Sequence, residues 1–244
     1  MYTNAIENYL KQHSYHHIHL KAVLFDMDGV LFNSMPNHAR AWNEAMKHYG
    51  MHLSCEEAYL HEGRTGASTI NIVSQRERGH DATPEEIERI YHTKTEIFNS
   101  YPKAERMPGA WEAIRQMKAD GLTIMVVTGS GQASLLERLN RNFPDTFRQE
   151  LMVTAYDVKY GKPSPEPYLM ALEKAGLHPN EAIVVENAPM GVHAGVAAGI
   201  FTVAVNTGPL PDRVLLDEGA NLLLPSMLAL SEQWEELYKE LGEE

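Results

Sequence analysis

Asp26 and Asp28, one residue apart and followed by Gly29, stand at the end of the apolar run Ala22–Asp26. Carboxylates this close can divide nucleophilic and proton-transfer work when their surroundings push their pKa values apart. Three more clusters share the pattern. Thr128 closes the run Thr123–Thr128 and leads into Gly129, Ser130 and Gly131. Gly161, Lys162 and Pro163 follow Met152–Thr154, while Glu186 closes Ala182–Glu186 with Asn187 beside it. These ends offer carboxylates, a hydroxyl, an amide and a cation. Such a set suits a phosphate group and a hard, oxygen-seeking metal ion.

For these residues to meet, the runs that carry them must lie side by side. All four runs, together with Phe201–Val205 and the weaker Asn221–Leu224, are short, apolar and rich in β-branched residues. Strands apolar on both faces belong inside a parallel sheet. Helical patterns separate them at Gly109–Asp120, Ser130–Asn142, Pro165–Gly176 and Pro189–Gly199. The alternation predicts a doubly wound α/β fold, in which ligands bind beyond the C-terminal ends of the strands. Ser164 is placed to cap the helix that Pro165 opens.

Residues 35–105 read differently. They hold helical patterns at His38–Tyr49, Cys55–His61, Ala67–Gly79 and Pro84–Tyr101, and no strand. Thr83, Pro84, Glu85 and Glu86 make a well-formed helix start. The block is expected to be an all-helical cap domain inserted into a core of residues 19–34 and 106–244, on hinges near Phe32–Met35 and Ala104–Pro108. Residues 1–18 read as a solvated lead-in, with a short helix at Thr3–Gln12 and a His-rich stretch at His13, His16, His17 and His19.

The run from Asp26 through Met27, Asp28, Gly29, Val30 and Leu31 to Phe32 resembles the first motif of the haloacid dehalogenase (HAD) superfamily of phosphotransferases. Thr128, Gly129 and Ser130 resemble its second motif, Lys162 with Pro163 its third, and Glu186 with Asn187 its fourth. The likeness spans residues 20–225, with the helical insert where the β-phosphoglucomutase-like branch carries its cap. It implies a Rossmann-like HAD core. The stretches Glu62–Thr69 and Val185–Pro189 resemble, within this branch, an inorganic pyrophosphatase.

The resemblance implies a role for each residue, and physical chemistry supports it. Asp26 attacks phosphorus to give an aspartyl-phosphate, dividing one hard step into two. Asp28 serves as general acid and then as general base. Thr128 and the amides of Gly129 and Ser130 hold the transferring group, and Lys162 neutralises charge between it and Asp26. Mg2+ would be held by Asp26, the backbone carbonyl of Asp28 and Asn187, with Glu186 as a ligand or one layer behind. Many relatives carry Asp at the position of Asn187; the amide removes one negative charge, which favours a highly charged substrate such as pyrophosphate. From the cap, His38, Glu62, Arg64 and Lys94 are expected to face the substrate. Arg64 can grip phosphate with its fork. An acid facing phosphate needs a cation between them, so Glu62 is expected to reach the metal when the cap closes, leaving room for a small leaving group only. Trp42, Tyr91 and Phe98 fall at helical spacing and read as cap core.

The substrate expected is therefore a small phosphorylated compound, pyrophosphate first, with β-phosphoglucomutase or sugar-phosphate phosphatase activity as the rival and a non-catalytic phosphate binder as the remote one. Composition narrows the partners. The 244-residue chain carries a formal net charge of −12 and lacks the basic run that nucleic acid or an anionic membrane would need. Cys55 is the only cysteine, no apolar stretch could span a bilayer, and the start lacks a signal core, so a cytoplasmic location is expected. Nothing in the sequence sets an oligomeric state.

Overall fold

The computed structural model describes residues 2–130 and 135–242. Helix α1 (Thr3–His13) leads into strand β1 (Ala22–Phe25). Four helices follow: α2 (Met35–His48), α3 (Cys55–Leu60), α4 (Gly66–Arg78) and α5 (Pro84–Ser100). Next come α6 (Ala110–Ala119), β2 (Thr123–Val126), α7 (Leu135–Asn142) and α8 (Glu166–Ala175). The chain ends with β3 (Ala182–Glu186), α9 (Pro189–Ala197), β4 (Phe201–Val205), α10 (Asp212–Asp217), β5 (Leu222–Leu224) and α11 (Met227–Leu241).

The five strands form one parallel sheet in the order β2-β1-β3-β4-β5. The chain leaves β1 toward one edge and later returns to its other side, so the winding reverses at β1. A crevice opens beyond the strand ends at such a point. Register then sets heights: Phe25 is level with Val126 on one side and Val185 on the other. Asp26, Val127 and Glu186 therefore come abreast.

Both faces of the sheet are covered. Val23, Phe25, Ile124, Val126, Ile183 and Val185 pack with Ile114 and Met117 of α6 and Trp234 and Leu237 of α11. The alternate residues, Leu24, Met125 and Val184, pack with Tyr168 and Leu172 of α8 and Ala194 of α9. The expected doubly wound α/β core is present. Helices α2–α5 gather on a separate cluster that includes Met46, Leu53, Ile70, Val73 and Ile90. Thr83 and Glu86 close a reciprocal capping box at the start of α5. The two crossings between core and helical block are tied together, Asn33 N–H donating to Glu105 O at 3.0 Å and Met107 N–H to Leu31 O at 2.9 Å.

Several expectations need correction. Met152–Thr154 is not a strand: Val127 and Val153 form a single bridge. A short 3-10 turn at Gln149–Leu151 precedes it, Val153 exchanges bonds with Val126 O and Thr128 N–H at 2.9 Å each, and Thr154 N–H turns away to the carboxylate of Asp157 at 2.8 Å. Pro165 stands at the cap of α8, not in its first turn, and Ser164 Oγ accepts from Glu166 N–H at 3.2 Å. Of the helix expected over Ser130–Asn142, Leu135–Asn142 is observed; Gly131 lies outside the described residues. Helices α10 and α11 complete the sheet's edge and one face without having been foreseen.

The lead-in is not a solvated tail. Tyr2, Ile6 and Tyr9 lie on one side of α1 and are buried against the core. Tyr9 meets Phe201 edge-on at 5.4 Å, and its hydroxyl donates to Gly199 O at 2.9 Å. This burial pushes the phenol well above its usual range, with Tyr15 adding to it against the opposing bond at Phe201. Tyr9→Phe is expected to lower unfolding stability by about 1 kcal/mol, the net worth of one such hydrogen bond, read as a lower urea midpoint at unchanged slope. An unchanged midpoint would show that α1 rests on apolar contact alone.

Candidate active site

Each strand end delivers its polar residue for a local reason. Asp26 follows β1 directly, its N–H still bonded to Val185 O at 3.0 Å, so its side chain is fixed by the sheet. Beyond it the backbone turns back at Gly29, where φ is +86° and a Cβ would lie 2.1 Å from Asn187 Nδ2. Only glycine accepts both the left-handed conformation and that approach. The turn thus brings Asn187, at the end of β3, against the loop that carries Asp28.

Lys162 is the hub. Its Nζ donates to Asp26 Oδ1 at 2.5 Å, Glu186 Oε1 at 2.7 Å and Val127 O at 3.0 Å. Burial alone would lower Lys162, but Asp26 and Glu186 outweigh it and hold the ammonium above its usual value. Burial lifts the carboxyl of Asp26 to about 8, with Lys162 drawing it down and Glu186 pushing it up. Lys162 offsets part of that rise and favours the ionised form of Asp26.

Glu186 is fully buried and fully bonded. Oε1 accepts from Lys162 and from Tyr168 Oη at 2.8 Å; Oε2 accepts from the N–H groups of Asn187 at 3.0 Å and Ala188 at 3.2 Å.

Asp28 faces the helical block. Ser34 Oγ donates to its Oδ1 at 2.5 Å, and His38 Nε2 stands 3.4 Å away. Burial would raise Asp28, yet His38, Ser34 and Arg138 together hold it well below the usual carboxylate range. Lys94 Nζ lies 2.8 Å from His38 Nδ1. An ammonium can only donate there, which leaves the Nε2 proton of His38 facing Asp28. Burial, then the charge of Lys94, holds His38 below its usual value, and burial brings Lys94 down to about 8.

Thr128 is buried, and its Oγ1 accepts from Ser130 N–H at 3.1 Å, which shapes the loop Thr128–Ser130 as an anion seat. From the block, Glu62 enters with both carboxylate oxygens accepting from Asn187 Nδ2, at 3.1 and 3.2 Å. Burial raises Glu62 well above its usual value and Asp26 adds to this, with only the Asn187 bond opposing them. A cavity of about 110 Å³ lies between block and core, with Asp26, Asp28, His38, Glu62, Arg64, Lys94, Thr128, Gly129 and Ser130 in its wall.

Every candidate residue from the sequence is thus at one place: most line the cavity wall, Lys162 and Asn187 are bonded to Asp26 and Glu62 in it, and Glu186 stands one layer behind, bonded to Lys162. Trp42 packs on the helical block's own cluster as expected of cap core, whereas Tyr91 is exposed and departs from that reading. Trp42, Tyr91 and Phe98 all line the cavity, and their ring centroids lie 5.3, 5.9 and 5.1 Å from Lys94 Nζ, a cage around a buried cation. Ser34, His61, Arg138 and Tyr168 were not foreseen. Ser34 stands two residues beyond the Asp26–Phe32 motif, whereas Arg138 belongs to no motif. Tyr168 does fall within one turn of the Lys162 loop, which was the one available signal.

The residues fit a hard cation. Asn187 Oδ1 is buried with no hydrogen-bond partner among the described residues, beside carboxylates that raise one another's pKa. A buried amide oxygen without a donor is a ready place for a metal ion. Among the described residues, no cluster of three or more His, Cys, Asp or Glu side chains could hold a metal.

A parallel sheet wound in opposite directions from β1, with an aspartate pair, a lysine hub and an anion seat at its C-terminal edge, is the arrangement of a phosphoryl-transferring hydrolase. The chain belongs to the haloacid dehalogenase-like hydrolase family, whose pattern it matches over residues 23–205. It is similar to Hexitol phosphatase A of Escherichia coli (strain K12), at 32% identity over 76% of this chain and 83% of that one. A phosphorylated carbohydrates phosphatase of Thermotoga maritima is 30% identical over 84% of this chain and 94% of its own. Among solved structures, a candidate β-phosphoglucomutase from Bacteroides vulgatus is 68% identical, covers 99% of this chain and 98% of its own, and superposes with a TM-score of 0.97. Among the described residues no helix is long and apolar enough to cross a membrane.

Proposed function

We propose that this protein is a Mg2+-dependent phosphohydrolase that works through an aspartyl-phosphate on Asp26, and that inorganic pyrophosphate is its preferred substrate. The phosphoryl group rests on Thr128 and the amides of Gly129 and Ser130. Asp26 forms the new O–P bond as the leaving oxygen departs. Asp28 gives the leaving group any proton it needs. It then takes one from the water that attacks phosphorus and frees Asp26. Lys162 favours the charged form of Asp26. Asp26, the carbonyl of Asp28 and Asn187 would hold Mg2+, which when bound supplies positive charge against the phosphoryl oxygens.

One observation carries the choice of pyrophosphate: Glu62 crosses from the helical block to bond Asn187 by both carboxylate oxygens. Burial and Asp26 disfavour charge on Glu62, so it is ionised there only with a cation beside it, and it takes space that a bulky leaving group would need. The cavity of about 110 Å³ agrees, being roughly the share of three or four waters. The low pKa of Asp28 points the same way. Phosphate leaves with little protonation, whereas a sugar alkoxide needs a strong proton donor.

A second reading has support of its own. The relatives named above act, by name, on phosphorylated carbohydrates or bear a phosphoglucomutase description, and taken by name they favour a sugar phosphate. The aromatic cage of Trp42, Tyr91 and Phe98 would give a sugar an apolar face.

Phosphate release with Mg2+ from pyrophosphate, beside a panel of hexose phosphates, decides between them. With pyrophosphate, Glu62→Gln is expected to lower kcat/KM by about 10-fold to 100-fold, since bound Mg2+ would draw Glu62 into its charged form and the amide would remove that charge while keeping shape. Turnover of pyrophosphate unaltered by Glu62→Gln, or wild-type preference for a hexose phosphate, would transfer the assignment to the sugar reading.

A further inference from the structure

Glu186 sits in a mould of three walls. The amides of Asn187 and Ala188 hold Oε2. The phenol of Tyr168, on α8, donates to Oε1. The third wall is Gly191, on α9, where a Cβ would lie 1.8 Å from Oε1. Tyr168 is completely buried, and its ring also lies beneath Lys162 Nζ, centroid to nitrogen 5.1 Å.

Counting donors shows what this mould does. An ammonium has three protons, and Lys162 spends them on Asp26, Glu186 and Val127 O. Glu186 receives four hydrogen bonds, two on each oxygen. It is satisfied without drawing Lys162 closer, and no lone pair is left for a metal ion. Without the phenol, Oε1 would keep Lys162 as its only donor. A buried carboxylate short of a donor competes hard for the nearest charge. Asp26 would then lose its share of Lys162.

We propose that Tyr168 is a positioning residue for the reaction: its hydroxyl, backed by the bare α-carbon of Gly191, satisfies Glu186 so that Lys162 stays on Asp26. The inference rests on Asp26 being the attacking group. It assigns Glu186 to the support of Lys162 and not to the metal.

Tyr168→Phe keeps the ring beneath the ammonium and removes only the donor. With Mg2+ and the unspecific substrate p-nitrophenyl phosphate, kcat is expected to fall about tenfold while KM and the Mg2+ midpoint stay within about twofold. In a crystal structure of the metal-free variant, the Lys162–Asp26 distance should open beyond about 3.2 Å. Gly191→Ala pushes on the same carboxylate from the other side and should lower kcat in the same way. A lower melting temperature with kcat and the Lys162–Asp26 distance unchanged would reduce Tyr168 to packing and overturn the inference. So would a tenfold weaker Mg2+ midpoint at unchanged kcat, because Glu186 would then serve the metal. Wild-type protein inert toward p-nitrophenyl phosphate, pyrophosphate and hexose phosphates alike would overturn the hydrolase reading and this inference with it.

Discussion

Asp26→Asn is expected to cut turnover by at least about 10⁴-fold, the scale of losing a covalent nucleophile. The substitution keeps the shape of the side chain at the end of β1. Its backbone N–H remains bonded to Val185 O, since that bond belongs to the sheet and not to the side chain. What disappears is the charged oxygen that Lys162 holds at 2.5 Å. An amide cannot form the ester to phosphorus. Acid-quenched wild-type protein incubated with labelled substrate should retain label on the chain, and the variant none. Substantial turnover by the variant, or label on both, would mean that another group attacks.

The second large effect belongs to Lys162→Met. Methionine fills the volume of the stem and brings no charge. Asp26 already sits at about 8 with Lys162 beside it, lifted by burial. Without the ammonium its carboxyl moves further up and an even smaller fraction is ionised at neutral pH, so turnover should fall by about 10³-fold. The residual rate should rise with pH, because the ionised fraction of Asp26 grows toward its raised pKa. Stability should move in the opposite sense. In the unfolded chain Asp26 ionises near its ordinary value, while in the folded variant it keeps its proton. The folded state then binds more protons, and stability falls as pH rises between those two pKa values. At pH 8 the loss could reach about 3–5 kcal/mol, the scale of a buried charge left alone. Thermal melts at pH 5 and pH 8 measure it. A melting temperature equal at both, or a rate that does not climb with pH, would show that Asp26 is not governed by Lys162.

The core site was readable because its parts lie at strand ends, and strands buried on both faces announce themselves as apolar runs. Asp26, Thr128 and Glu186 follow such runs directly, and parallel register does the rest. Glu62 was readable for a different reason: an acid beside Gly63 in a loop of a helical block has no ordinary task. The misses have physical causes. Met152–Thr154 has the composition of a strand, but its pairing is confined to the bridge of Val153 with Val127. Tyr91 and Phe98 do follow a helix period, yet period alone does not say which neighbour the face meets, and here it is the cation of Lys94 and the cavity. Tyr2, Ile6 and Tyr9 are too few to mark α1 as part of the core until Phe201 and Gly199 are seen beneath them. Arg138 acts on Asp28 across a distance in the chain that no local pattern spans.

The position of β1 between β2 and β3, inside the sheet, has a consequence for how the chain folds as it is made. Ala22 must wait for Thr123 on one flank and Ala182 on the other. Emerging from the ribosome early, this hydrophobic strand has no neighbour while the helical block, whose apolar contacts are its own, is still being completed. Domains that mature from the amino end tend to settle as they appear, and pairings between distant segments come late. The block can therefore be finished before the sheet begins, and Asp26, proposed above as the attacking group, acquires its setting late, when β3 docks and Val185 O takes its N–H.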